Sequence, residues 1–245
     1  MKFKWRAWVR RLTVLNVILF GSFTPVALIV SLCFVALGMF LHIWSIGCLV
    51  RNTQLTTWGP YRFVRHPFYL ANLCIDLGLC AAGSGHIWTA IYLFGVYSLL
   101  FYFVYIKRMR KEEVHLTALF PKEYPEYISH VPQFLPLFFK RYPASDKGFS
   151  FTILIAAGNE ITRVMRLLIY PMVLYFILRR FPYGIFCGVL EKMGVLENRL
   201  TPVRPGDFIN GFIGYPEIIM IGVILVLSVV SIFVHKSSEK AADNK

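Results

Sequence analysis

Residues 12–50 read LTVLNVILFGSFTPVALIVSLCFVALGMFLHIWSIGCLV, a stretch of 39 residues that contains no Lys, Arg, Asp or Glu. A bilayer core is crossed by about 20 helical residues, so this stretch is long enough for two crossings. Pro25 marks the predicted turn between them, because the residue before a proline is disfavoured in a helix. A single kinked helix is the alternative, and the length favours the hairpin.

The chain as a whole also has the composition of a membrane protein. It has 245 residues, of which 57% are hydrophobic and only 16% are charged, whereas soluble domains have about 25% charged residues. A second apolar run, 67–106, is broken at Asp76 and at Gly83–Gly85 and predicts a second hairpin. Phe212–Val234 predicts a last span. We therefore expect an all-α, polytopic membrane protein with about five transmembrane helices.

The formal net charge of +13 indicates a membrane orientation, and we expect no nucleic-acid partner. Basic residues collect in the cytoplasmic loops of membrane proteins. Lys and Arg are absent from the turns near Pro25 and Gly83–Gly85, as expected for outer turns. They are frequent in residues 2–11, 51–65 and 107–111, so we expect these segments, and the polar stretch 107–147, to be cytoplasmic.

The last hundred residues have a less regular pattern. Phe149–Leu178 is apolar but interrupted by charges, and its clean part, Leu167–Leu178, is short, which predicts a re-entrant or interfacial element. Glu160 and Arg163 have the spacing of a helical salt bridge, with a substrate-head site as the alternative. We expect residues 1–147 to form the core and 148–245 a C-terminal membrane extension. The five cysteines contain no Cys-x-x-Cys pair, so neither a metal site nor a disulfide framework is expected.

Hydrogen-bonding side chains are concentrated between the two hairpins, in GPYRFVRHPFYL at residues 59–70. Proline is favoured in the first turn of a helix, so the third helix should begin at Pro67. Its free N–H groups and dipole would then attract an anion, reinforced by Arg62, Arg65 and His66. The alternative is a basic interfacial loop without a ligand.

A second polar cluster, RMRKEE at residues 108–113, follows the fourth span. Arg108 and Glu112 are four residues apart, so they can pair on one helix face. Glu112 and Glu113 point about 100° apart and cannot both serve that pair. A solvated charged helix end is the alternative interpretation.

Taken together, the clusters resemble the isoprenylcysteine carboxyl methyltransferase family and its phospholipid methyltransferase relatives. The resemblance covers roughly residues 35–138. Two positions depart from the family pattern, Ala71 and Pro121, each of which replaces an expected glycine; Pro121 puts the position of Tyr124 in doubt. The matching segments are Gly59-Pro60-Tyr61-Arg62, Arg65-His66-Pro67-Phe68-Tyr69, Arg108-Met109-x-x-Glu112-Glu113, Phe120-x-x-x-Tyr124-x-x-Tyr127 and Val131-Pro132-x-Phe134-x-Pro136.

The resemblance implies a small helical membrane enzyme that binds S-adenosylmethionine on its cytoplasmic side and methylates a lipid-borne or prenylated substrate. It implies catalytic roles for Arg108 and Glu112. The cofactor-binding residues that it implies are Tyr61, His66, Pro67, Tyr69, Leu70 and Glu113.

The methyl acceptor is open. A carboxylate is favoured because Arg62, Arg65 and Arg108 would surround the site; a phospholipid amine and a thiol are the alternatives. Two readings from other classes are a sterol-reductase-like enzyme that uses NADPH and a non-enzymatic membrane scaffold.

Overall fold

The computed structural model describes residues 5–22, 24–51, 53–136, 141–143, 145–158 and 169–180. Within these ranges the chain is helical and contains no β-strand, which confirms the all-α class. The elements are α1 (Trp5–Phe20), α2 (Pro25–Cys48), a 3₁₀ turn (Gly59–Arg62), α3 (Pro67–Ala82), α4 (Ile87–Phe101), a π-helical turn (Tyr102–Ile106), α5 (Lys107–Leu119), α6 (Glu123–His130), α7 (Phe151–Ala156) and α8 (Ile169–Arg180).

The breaks between the first four helices lie where the sequence predicts them. α2 begins at Pro25, and α3 and α4 are separated at Gly83–Gly85. The two turns lie side by side: the Ser22 N–H donates to the Gly83 carbonyl at 2.7 Å, and the Gly85 N–H donates to the Ser22 carbonyl at 2.9 Å. This approach requires glycine, because a Cβ on Gly83 would lie 3.2 Å from the Cα of Gly21.

Among the residues that the structure describes, two helices are long and apolar enough to cross a membrane, Val26–Cys48 and the continuous helix Ile87–Leu119. Both expose large apolar side chains, among them Val26 at 68% and Trp88 at 71%. Such exposure is unfavourable in water and suits a lipid environment. α1 and α3 have 16 residues each, fewer than the about 20 of a full crossing. Five crossings therefore remain a prediction.

Asp76, which interrupts the second apolar run, has a partner from α1. Its carboxylate accepts a hydrogen bond from Arg10 Nε at 2.6 Å, and Asp76 is completely buried. The hydroxyl of Tyr97 donates to the other carboxylate oxygen at 3.3 Å. A buried charge is tolerated only when it is paired and hydrogen-bonded, so this contact explains the acid inside an apolar helix.

The chain forms two compact units. One contains α1, α2 as far as Ala36, Ile75–Phe101 and α8, and within it α1 packs against α4 and α8. The other contains Leu37–Cys74 and the chain from Tyr102 through α7, and it holds the candidate site.

The C-terminal predictions are covered only in part. α8 has 12 residues and overlaps the predicted apolar element Leu167–Leu178. The charged residues Glu160, Arg163 and Arg166 and the span Phe212–Val234 lie outside the described residues.

Candidate functional site

The site begins with a tight 3₁₀ turn at Gly59–Arg62. Gly59 has φ +60°, a left-handed conformation that glycine adopts without a steric cost. A Cβ at this position would also collide with Sγ of Cys48. The turn places Tyr61 in a buried apolar cluster with Cys48 and Trp58. The predicted cofactor residue Tyr61 is therefore 7% exposed.

α3 begins at Pro67, as predicted, but its first turn differs from the expected anion site. The N–H groups of Tyr69 and Leu70 both donate to the carbonyl of His66, at 3.0 and 3.2 Å. Those donors are thus satisfied within the helix, and the expectation of an open row of N–H groups is wrong. Leu70, predicted to bind the cofactor, has its N–H engaged in this way, and its side chain is half-buried.

The charged contact at this helix start is made by side chains. Glu113 Oε1 lies 3.0 Å from Nη1 of Arg65 and 3.3 Å from Nε2 of His66. The carboxylate of Glu113 therefore binds two of the side chains, Arg65 and His66, that the sequence assigned to a ligand anion. The predicted cofactor residues His66 and Glu113, 47 positions apart, are brought together.

Glu112 is bound by Tyr69, which the sequence predicted to contact the cofactor. The hydroxyl of Tyr69 donates to Glu112 Oε2 at 2.9 Å, and Tyr69 is 2% exposed. Its ring packs edge-on against Tyr105, with centroids 5.7 Å apart. The predicted Arg108–Glu112 pair is not formed: Arg108 is exposed and, within the described part of the chain, makes no ion pair.

Two tyrosines of α6, Tyr124 and Tyr127, pack beside the residues of the site. The sequence analysis did not assign them a role. Tyr124 and Tyr127 are buried with Val131, so Pro121 does not disturb this turn. The Tyr127 hydroxyl donates to the carbonyl of Tyr61 at 2.6 Å. Burial is the main cause that raises the pKa of Tyr124 to about 12; nearby Glu113 acts in the same direction and Arg65 opposes the shift. Burial also raises the pKa values of Tyr127 and Tyr61.

Arg62 and Arg65 have structural partners that the sequence did not reveal. The Arg62 Nε donates to the carbonyl of Tyr142 at 2.6 Å, and the Tyr142 N–H donates back to the Arg62 carbonyl at 3.1 Å. The N–H of Arg65 donates to the Pro132 carbonyl at 3.0 Å. Through these hydrogen bonds, both arginines attach residues 132 and 142, which follow α6, to the segment that runs from the 3₁₀ turn to α3.

Comparison with known proteins supports the resemblance. The model of the isoprenylcysteine carboxyl methyltransferase family matches residues 14–118, less than half of the chain, and supports the family suggested by the motifs. This match and the two long apolar helices of the described residues support an integral membrane protein.

Two bacterial relatives are similar over part of their length. The cobalt-zinc-cadmium resistance protein CzcN of Cupriavidus metallidurans is 33% identical over 115 residues, 46% of this chain and 50% of that protein. The nickel-cobalt-cadmium resistance protein NccN of Alcaligenes xylosoxydans is 34% identical over 86 residues, 35% of this chain and 38% of that protein. The chain therefore spans about half, or less, of the curated relatives that it matches. No solved structure matches.

Proposed function

We propose that this chain is an S-adenosylmethionine-dependent methyltransferase of the membrane that methylates a lipid-borne carboxylate. One observation carries the proposal. The start of α3 and the acidic pair of α5 meet through Tyr69–Glu112 and His66–Glu113, at 2.9 and 3.3 Å. The family match, which covers both segments, supports this site.

The chemistry of these side chains fits the cofactor. S-adenosylmethionine, when bound, supplies a methyl group on a positively charged sulfur. Glu112 and Glu113 are suited to its ammonium group and ribose hydroxyls, because carboxylates accept hydrogen bonds from both. Arg65 and His66 hold Glu113 in place, and Tyr69 holds Glu112 through its hydroxyl. We retain Tyr61, Pro67 and Leu70 as lining residues.

A buried polar atom in the same unit supports the fit. The hydroxyl of Tyr61 is buried and has no hydrogen-bond partner in the described part of the chain. An unsatisfied buried hydroxyl costs about 1–3 kcal/mol, so a bound polar group at this position would be stabilising. We propose that the cofactor supplies that group.

Of the three arginines predicted to face the acceptor, Arg108 is the best candidate. Arg62 is bound to the Tyr142 carbonyl and Arg65 to Glu113. Arg108 is exposed one helical turn from Glu112, and arginine pairs well with a carboxylate because it stays protonated. We propose that Arg108 orients the acceptor carboxylate. A carboxylate oxygen would form the new bond to the methyl carbon while the carbon–sulfur bond breaks, and neutral S-adenosylhomocysteine would leave with the electron pair. Glu112 would fix the catalytic geometry through Tyr69.

An apolar groove in the same unit suits a lipid-borne acceptor. It has a volume of about 320 Å³ and is lined by Phe40, Ile43, Trp44 and Phe149. Trp44 also packs against the cluster that contains Tyr61, so the groove adjoins the 59–62 turn. Hydrocarbon chains are recognised by apolar surface, and we propose that this groove holds part of the acceptor lipid.

The proposal includes a topology and a division of labour along the chain. α1 to α4 and residues 212–234 would make five crossings, with residues 2–11 and 107–147 cytoplasmic, in accord with the distribution of Lys and Arg. Residues 1–147 would form the catalytic core. Residues 148–245 would shape acceptor choice.

Binding and product analysis test the function. We expect the purified protein to bind S-adenosylmethionine and not NADPH, which would count against a sterol-reductase-like enzyme and a scaffold. His66→Ala and Glu113→Ala should each weaken binding on the order of a hundredfold, because a hydrogen-bonded charged group is lost. Unchanged binding in both variants would place the cofactor elsewhere.

The acceptor is tested by the stability of the product. Membranes that contain the protein are incubated with methyl-labelled S-adenosylmethionine, and the lipid extract is treated with mild alkali. A methyl ester releases labelled methanol, whereas N-methyl and S-methyl groups survive. Label that persists would contradict carboxylate methylation and favour a phospholipid amine or a thiol.

A further inference from the structure

Three basic side chains form an exposed face at the start of α5. Lys107, Arg110 and Lys111 have the spacing i, i+3, i+4, which places them on one side of the helix. All three are exposed, and Val114, one turn further along the same side, is 72% exposed. We call Lys107, Arg110 and Lys111 the basic face. The opposite side of α5, with Met109 and Glu113, packs inward.

The depth of the basic face follows from the length of the apolar helix before it. α4 has 15 residues and the π-helical turn has five. At about 1.5 Å per residue they span about 30 Å, the thickness of the hydrocarbon core. Trp88 near one end, and Tyr102 and Phe103 near the other, are exposed aromatic residues, as is common at membrane–water interfaces. With the crossing proposed above for α4, Lys107 is the first residue beyond the hydrocarbon, at the level of the lipid headgroups.

The positive charge of the basic face is not neutralised by the neighbouring acids. Glu112 accepts a hydrogen bond from Tyr69, and Glu113 is bound by Arg65 and His66. In the ranges that the structure covers, the basic face makes no ion pair. Three exposed cations at headgroup depth attract anionic lipid, each by about 1 kcal/mol.

We propose that the basic face binds the phosphate groups of anionic phospholipids and concentrates these lipids beside α5. The site is distinct from the methyl-transfer machinery, because none of its three residues belongs to the proposed cofactor or acceptor site. The proposal therefore stands or falls independently of the enzymatic activity.

The test measures lipid selectivity around the full-length protein. The protein is placed in phosphatidylcholine nanodiscs that contain a trace of spin-labelled phosphatidylglycerol or spin-labelled phosphatidylcholine. Electron paramagnetic resonance gives the motionally restricted fraction of each lipid and hence their relative association constants. We expect phosphatidylglycerol to be preferred about tenfold or more at low salt, with a preference that falls as salt screens the charges.

Arg110→Gln/Lys111→Gln should lower that preference about fivefold or more, since about 1 kcal/mol corresponds to about a fivefold change. The matched control Lys122→Gln/Arg141→Gln removes two other exposed charges and should leave the preference unchanged. An equal loss in both variants, or no preference in the wild type, would overturn the proposal. Inorganic phosphate that displaces the labelled lipid better than chloride does at equal ionic strength would instead indicate a soluble-anion site and overturn it too.

Discussion

The contact between Arg65 and Glu113 is expected to stabilise the fold, whatever ligand the site binds. Its two side chains are 3.0 Å apart and only 12% and 20% exposed. Exposed ion pairs contribute about 0–1 kcal/mol, and breaking a buried pair costs about 3–5 kcal/mol. For this partly buried geometry we expect Glu113→Gln to lower the free energy of unfolding by about 2 kcal/mol. It also removes the charged partner of His66.

A double-mutant cycle isolates the pair. Arg65→Met should cost about 1–2 kcal/mol, because Glu113 keeps its contact with His66. The double variant should cost about 1–2 kcal/mol less than the sum of the single ones, since each substitution removes the same contact. The free energy of unfolding is measured by titrating the protein with sodium dodecyl sulfate in mixed micelles.

A control cycle uses two exposed residues of opposite charge, Lys122→Gln and Glu126→Gln, between which no ion pair is formed. Their costs should be additive within about 0.5 kcal/mol, the most that an exposed pair four residues apart on a helix contributes. If the costs of the Arg65 and Glu113 variants are additive to the same extent, the two side chains do not interact and the described site geometry is wrong.

Three further predictions concern single positions. Gly59→Ala should lower the melting temperature, because it adds about 1–2 kcal/mol of strain in the left-handed backbone conformation and a collision with Cys48. Gly95→Ala should not lower it, because a Cβ there would meet no atom within 4 Å. Tyr69→Phe should destabilise the fold by about 1.5–3 kcal/mol, because it removes the hydrogen bond to the charged Glu112. The control Tyr92→Phe removes a neutral hydrogen bond to Asn16 and should destabilise the fold less. Equal effects would contradict the charged contact. The pKa of Tyr124 is raised to about 12, so the unfolded state loses this proton at a lower pH than the folded state. The free energy of unfolding should therefore fall as pH rises from about 10 to 12. Tyr124→Phe should reduce the slope of this fall, and an unchanged slope would contradict the burial of Tyr124.

The sequence by itself determined the helical class and several breaks in the chain. Long uncharged runs favour apolar helices, and Pro25 and Pro67 each begin a helix because proline lacks an N–H that the first turn does not need. These features depend only on residues close in sequence and on the transfer of apolar side chains out of water. They can therefore be inferred without the tertiary fold. The turn at Gly83–Gly85 follows from the same local preferences.

The pairing of the polar groups was decided by the tertiary structure. The predicted Arg108–Glu112 contact would contribute about 0.2–0.5 kcal/mol on an exposed helix face. Leaving the buried hydroxyl of Tyr69 without a partner would cost about 1–3 kcal/mol, so Glu112 binds Tyr69 instead. Arg10 and Asp76 are 66 residues apart, and helix packing alone brings them within 2.6 Å. No local pattern reveals such a partner, because the energy that selects it arises only when both groups leave water together.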